Sequence, residues 1–195
     1  MSLDDKEKGQ KIWAFEIDNI TKAIRDLKQN VIQLTNFVLP NILQKTYTDI
    51  TINNTTTETD ILSVPISANL METNNMIRFK IYFQDSVLDT GTITVKLKLG
   101  GTTLATITAF IVGASSMGYI EGFIYNNNSN GAQIAKIFSN STYVSTGSVK
   151  VASDEGTGTK DTTTTLDLSV TLQFNTVSAS NIFYMKDSYV EFLKY

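Results

Sequence analysis

Leu166-Asp-Leu-Ser-Val-Thr-Leu-Gln-Phe174 carries an apolar residue at every second position, with Asp, Ser, Thr and Gln between. Successive side chains of a β-strand point to opposite faces, so this spacing predicts a strand with one dry and one wetted face. The same alternation runs through Ile77, Phe79, Ile81 and Phe83, set against Arg78, Lys80, Tyr82 and Gln84. It returns in Ile93, Val95, Leu97 and Leu99, set against Thr94, Lys96 and Lys98. Weaker candidates cover 60–66, 103–112, 118–125, 133–138, 148–153 and 182–193. Turn-forming strings separate them: Asp89-Thr-Gly91, Gly100-Gly101, Asn126-Asn-Asn-Ser-Asn-Gly131 and Asp154-Glu-Gly-Thr-Gly158. Eight or nine strands with no helical pattern between them predict a mainly β chain, an antiparallel two-sheet sandwich of jelly-roll type.

Upstream the period changes. Trp13, Ile17, Ile20, Ile24, Leu27, Val31, Leu34 and Val38 are spaced alternately four and three residues apart, a heptad seam. Ile17, Ile24, Val31 and Val38 take the a positions, and Trp13, Ile20, Leu27 and Leu34 the d positions. Pro40 ends or kinks this helix near Val38 or Leu39. A seam this narrow, with a 3.5-residue period, belongs to helices that supercoil around one another. These eight residues are therefore the expected interface of a homo-oligomer. Ala23 and Phe37 widen the apolar face beyond the seam, so a homotrimer is preferred to a dimer. The predicted organisation is a helical oligomerisation or attachment stalk over 1–45 and a β-sandwich over 46–195. The Asn- and Thr-rich string 53–60 reads as the joint between them.

Composition removes whole classes of chemistry. The 195 residues include no Cys and no His, which excludes disulfides, thiolate and imidazole metal sites, and triads with a His base. Sixteen basic and 19 acidic residues leave a net charge of −3, without the basic footprint that nucleic acid or an anionic membrane requires. Thr accounts for 27 residues, most of them after position 45, as a strand-rich chain would have. The charged start Met1-Ser-Leu-Asp-Asp-Lys-Glu-Lys8 has no signal-peptide core behind it, so synthesis in a cytoplasm without a secretion signal is expected.

Candidate chemistry is sparse. Asp85 and Asp89, or Asp154, Glu155 and Asp161, are the carboxylates that glycoside hydrolysis would need as a pair. Each sits beside turn residues, where Asp caps backbone, and no catalytic residue is assigned. The 153–161 segment offers oxygen ligands for Ca²⁺ in Asp154, Glu155 and Asp161, but EF-hand spacing is missing and Lys160 opposes a cation. Gly100-Gly101 lacks the Gly-Lys-Ser/Thr ending of a phosphate loop, so no cofactor is expected. Lys80, Lys96 and Lys98 are candidates for one basic sheet face together with Tyr82. Tyr119, Phe123 and Tyr125 fall on one face of a strand whose other face carries Ile120 and Ile124. A strand apolar on both faces needs a cover on each. A neighbouring subunit is favoured as that cover, and a stacked sugar ring is the alternative.

Three consecutive stretches carry a resemblance. They are Thr57-Glu-Thr-Asp-Ile-Leu-Ser-Val-Pro-Ile-Ser-Ala-Asn69, Asn74-Asn-Met-Ile-Arg-Phe-Lys-Ile-Tyr-Phe83 and Thr94-Val-Lys-Leu-Lys-Leu-Gly-Gly-Thr-Thr-Leu-Ala105. Over residues 57–112 the chain resembles small β-sandwich proteins of tailed-bacteriophage virions, found as head fibres, tail fibres and capsid-decorating proteins. It departs from them where Asn74-Asn75-Met76 replaces an Asn-Gly turn and where Pro65 is not followed directly by Ala-Asn. The resemblance implies a trimeric structural protein of the virion, not an enzyme, made in the host cytoplasm. Its implied partners are itself, other virion proteins and a host surface glycan. A free-standing carbohydrate-binding module using exposed aromatics is the alternative function.

Overall fold

The computed structural model describes residues 18–29, 41–46, 49–73, 75–86, 92–110, 116–143 and 146–194. By its internal contacts the chain divides at Pro40–Asn41 into two units, each described by itself. Of the first unit, residues 18–29 form a helix, α1. Ile20, Ile24 and Leu27 are 59%, 51% and 65% exposed on it. Trp13, Ile17, Val31, Leu34 and Val38 lie outside the described residues. No helix among the described residues is long and apolar enough to cross a membrane.

The second unit is a sandwich of two antiparallel sheets. Its strands are β1 (Asn41–Thr46), β2 (Ile50–Asn53), β3 (Thr59–Ile66), β4 (Met76–Ser86), β5 (Ile93–Leu99), β6 (Thr102–Phe110), β7 (Ser116–Asn126), β8 (Gln133–Tyr143), β9 (Val149–Gly158), β10 (Leu166–Phe174) and β11 (Ile182–Leu193). The larger sheet has the order β1-β11-β4-β7-β8-β9, with β2 also paired to β11; the smaller has the order β3-β10-β5-β6. Most connections cross from one sheet to the other, and only β5–β6, β7–β8 and β8–β9 are hairpins within a sheet. The 53–60 string is one of these crossings, since it links β2 of the larger sheet to β3 of the smaller.

The alternating residues explain the core. Ile77, Phe79, Ile81 and Phe83 of β4 meet Val95, Leu97 and Leu99 of β5 and Leu168, Val170, Leu172 and Phe174 of β10 between the sheets, all at 2% exposure or less. Each such side chain gains roughly 1.5–3 kcal/mol by leaving water. The polar members of each alternation are thereby turned outward.

Asp154-Glu-Gly-Thr-Gly158 is not a turn. It forms the end of β9. Gly156 is required there because a Cβ would lie 1.7 Å from the backbone oxygen of Leu104 on β6. The two sheets thus touch backbone to backbone along one edge of the sandwich. Asp154 ties the same seam, its Oδ2 accepting the Thr106 N–H at 2.7 Å.

At one end of the sandwich a buried polar cluster holds three loops together. Asn126 Nδ2 donates to the Met71 carbonyl and to Thr162 Oγ1. Gln133 Nε2 donates to Asn126 Oδ1 at 3.0 Å and to the Lys160 carbonyl at 2.8 Å, and Gln133 Oε1 accepts the Lys160 N–H at 2.7 Å. With partners on both sides, these amides cost little to bury.

Candidate functional site

The outer face of the larger sheet carries an unusual concentration of aromatic side chains. On β4 the outward positions are Arg78, Lys80, Tyr82 and Gln84; on β7 they are Met117, Tyr119, Glu121, Phe123 and Tyr125. Antiparallel register places Tyr82 opposite Tyr119, Lys80 opposite Glu121, and Arg78 opposite Phe123. Directly opposed side chains lie about 5 Å apart at Cβ, so the two tyrosines form one patch. Gly118, between Met117 and Tyr119, makes this possible from below. A Cβ there would lie 2.8 Å from the Phe83 ring and 1.9 Å from the Asn140 carbonyl oxygen.

Beside the two tyrosines is an open depression of about 440 Å³. Tyr82 and Gln84 line it from β4, Met117 and Tyr119 from β7, Asn140 and Thr142 from β8, and Lys186 from β11. Lys186 sits where the β11 register shifts between Met185 and Asp187, an irregularity that re-aims side chains. Its ammonium donates to Asp49 Oδ2 at 2.8 Å.

Charge on this face is locally balanced. Lys80 Nζ lies 4.0 Å from the centre of the Tyr119 ring, 5.3 Å from that of Tyr82, and 3.5 Å from Glu121 Oε2. Burial pulls the Lys80 ammonium down, but the Glu121 carboxylate and the nearby Tyr82 outweigh it, and its pKa sits above the ordinary lysine value. Arg78 Nε donates to Glu121 Oε1 at 2.8 Å and Nη1 to Glu191 Oε1 at 3.2 Å. Partial burial raises the Tyr189 phenol against the opposing pull of Arg78. The shifts of Arg78, Lys80 and Tyr189 all move their pKa values away from neutrality, so none of the three is poised to exchange a proton near pH 7.

Farther along β7 a second aromatic group assembles. The Phe123 ring centre is 6.1 Å from that of Tyr125 and 6.2 Å from that of Phe138 on β8. Phe138 remains 37% exposed.

Tyr119, Phe123 and Tyr125 therefore share the outer face, while Ile120 and Ile124 are fully buried on the other. The expected face of Lys80, Lys96 and Lys98 does not form. Lys80 and Tyr82 belong to the larger sheet, whereas Lys96 and Lys98 belong to β5 of the smaller one. There both ammonium groups reach Glu58, Lys96 at 2.6 Å, and Thr171 Oγ1 donates to the same carboxylate at 2.8 Å. These hydrogen bonds, led by that from Lys96, hold the Glu58 carboxyl at a pKa of about 2. Alternation assigns a residue to a face of its own sheet but does not say which sheet that is.

The 153–161 carboxylates also separate. Asp154 is bonded to β6, Glu155 pairs with Lys136 at 2.7 Å, and Asp161 accepts from the Thr163 hydroxyl and N–H at 2.7 and 3.0 Å. Among the described residues no three His, Cys, Asp or Glu side chains converge as a metal site would need. Asp85 lies in β4 and Asp89 outside the described residues. Gln84, Met117, Asn140, Thr142, Lys186 and Phe138 were not singled out from sequence. Phe138 shares its parity on β8 with Ile134 and Lys136, the less buried positions of that strand, and this alternation is the signal that finds it.

No protein-family model matches the chain, and no curated protein matches it either. Its fold is distantly similar to sugar-binding and lectin sandwiches among solved structures. The C-terminal domain of EclA, a sugar-binding protein, is 10% identical with a TM-score of 0.36, covering 74% of this chain and 78% of that one. The CBM2 module of the evolved Dit of Lactobacillus casei BL23 phage J-1 is 11% identical with a TM-score of 0.32, covering 66% and 67%. Lectin II from Ulex europaeus is 6% identical with a TM-score of 0.34, covering 82% and 97%.

Proposed function

We propose that the sandwich is a non-catalytic carbohydrate-binding domain and that the Tyr82–Tyr119 depression is its glycan site. The observation that carries this reading is the cross-strand tyrosine pair opening beside Gln84, Asn140 and Thr142. A pyranose presents a face of polarised C–H bonds, which matches the negative face of a phenol ring. Its hydroxyls, at the rim of that face, need amide and hydroxyl partners of the kind these three side chains offer. The test is binding of the purified chain to an immobilised glycan panel, beside a Tyr82→Ala/Tyr119→Ala variant whose β circular-dichroism signal is intact. The expected result is a restricted set of bound glycans and at least about a tenfold loss in the variant, or about 1.4 kcal/mol. A wild-type chain that binds no glycan, or a variant that binds as well, refutes the site.

A second observation favours assembly as part of the function. Ile20, Ile24 and Leu27 recur on α1 at heptad spacing and are all more than half exposed. We propose that this seam gathers copies of the chain, a trimer before a dimer, so that several weak glycan contacts act together. A bacteriophage virion, with other virion proteins as neighbours and a host surface glycan as target, is the setting we propose. It rests on the resemblance over residues 57–112. A mass in solution equal to one chain would refute the assembly.

A further inference from the structure

We propose that the ligand is an extended, uncharged glycan chain that runs along β7, from the Tyr82–Tyr119 pair over Arg78–Glu121 to a second platform at Phe123 and Phe138. The proposal rests on the carbohydrate reading above and specifies its ligand.

Phe123 is four residues beyond Tyr119 on the same outward face of β7, about 14 Å away at about 3.4 Å per residue. A single sugar, or a disaccharide, seated on one platform does not reach the other, whereas a longer oligosaccharide does. The second platform is built from two strands, since Phe138 of β8 stacks obliquely on Phe123 with ring centres 6.2 Å apart. The 37% exposure of Phe138 leaves an aromatic surface turned to solvent, where a buried core ring would have none.

Between the platforms the surface is polar. Glu121 Oε1 receives both Nε and Nη2 of Arg78, at 2.8 and 2.7 Å, and the Arg78 side chain remains 36% exposed. This pair can exchange hydrogen bonds with hydroxyls of a chain passing over it, so stacking, hydrogen-bonding and stacking positions follow one another along the strand.

The balance of charge selects against acidic sugars. Lys80 and Arg78 share Glu121, Arg78 also meets Glu191, Lys136 meets Glu155, and Lys186 meets Asp49. A uronate or phosphate would compete with these carboxylates for the same cations, whereas a neutral sugar leaves every pair in place.

The test uses the full chain and linear glucans, galactans, mannans and chitin oligomers, each as disaccharide and hexasaccharide, with hyaluronan as the acidic control. Affinities are measured by calorimetry at low and high salt. The wild type is compared with Phe123→Ala/Phe138→Ala and with Phe123→Tyr/Phe138→Tyr, which preserves the rings. One neutral series is expected to bind at least about tenfold tighter as hexasaccharide than as disaccharide, with little effect of salt. Phe123→Ala/Phe138→Ala is expected to abolish that gain and keep the disaccharide affinity, and Phe123→Tyr/Phe138→Tyr to restore the gain.

Equal affinity for both lengths, still lost on Tyr82→Ala/Tyr119→Ala, would leave the depression as the site and overturn the extension. Preference for hyaluronan would overturn the uncharged ligand. A Phe123→Ala/Phe138→Ala variant that changes the mass of the particle but not its affinity would make Phe123 and Phe138 a subunit contact and overturn the second platform. No binding to any glycan would overturn this proposal together with the carbohydrate reading.

Discussion

Replacing Glu58 by Gln keeps the size of the side chain and removes its charge, which isolates what the carboxylate does for the smaller sheet. It accepts from Lys96, Lys98 and Thr171, bridging β5 and β10 ahead of β3. Its pKa falls from 4.5 to about 2 on folding, chiefly through the hydrogen bonds from the two lysines. At about 1.4 kcal/mol for each pKa step, the full displacement would be worth about 3 kcal/mol. The three charged side chains are 20–29% exposed, so water screens part of that attraction, and about 1–2 kcal/mol is the expected contribution. Because the folded pKa is the lower one, this stabilisation is fully present above the unfolded value of 4.5. It is lost as the pH falls from there through about 2. Urea unfolding followed by circular dichroism at several pH values between neutrality and about 2 would measure it for wild type and Glu58→Gln. The variant should be weaker by about 1–2 kcal/mol at neutral pH, with the two curves converging in acid. Equal stabilities at neutral pH, or a gap that persists unchanged down to the lowest pH, would refute the argument.

Two further outcomes follow from packing and from the helix. Gly156→Ala forces a methyl onto the Leu104 carbonyl oxygen at 1.7 Å, a backbone atom that cannot rotate away. It should cost about 3 kcal/mol or more in unfolding free energy by denaturant titration, while Gly101→Ala, with nothing within 4 Å but a positive φ, should cost less. Ile20→Asp with Ile24→Asp places charges in the exposed seam of α1 and should reduce the mass seen by light scattering to one chain, with the β circular-dichroism signal unchanged. An unaltered mass would refute self-association through this helix.

The strands with one dry and one wet face were legible because period two is the direct imprint of a half-buried strand. β4, β5 and β10 follow the alternating residues almost to their ends. β1 and β2 left little imprint: β2 has four residues, of which only Ile52 is buried. The end of β9 was hidden by its composition. Asp, Glu and two Gly ordinarily mark a turn, but here Gly156 allows close approach to β6 and Asp154 receives a β6 amide. The aromatic face of β7 could be read from Tyr119, Phe123 and Tyr125, but its neighbours could not. Placing Tyr82 opposite Tyr119, or Asn140 beside it, takes the register of β4 and β8 on β7, which separations of about 20 to 40 residues do not encode locally.

The order of strands bears on how such a chain comes into being. β11 lies between β1 and β4, and β10 between β3 and β5, so the last two strands made occupy interior places among the first five. The smaller sheet cannot close before β10 (Leu166–Phe174) is made, nor the larger before β11 (Ile182–Leu193), so the oily faces of β3, β4 and β5 wait for partners made late. Completion of the sandwich therefore rests on pairings between strands far apart in sequence, the kind of contact that forms slowly.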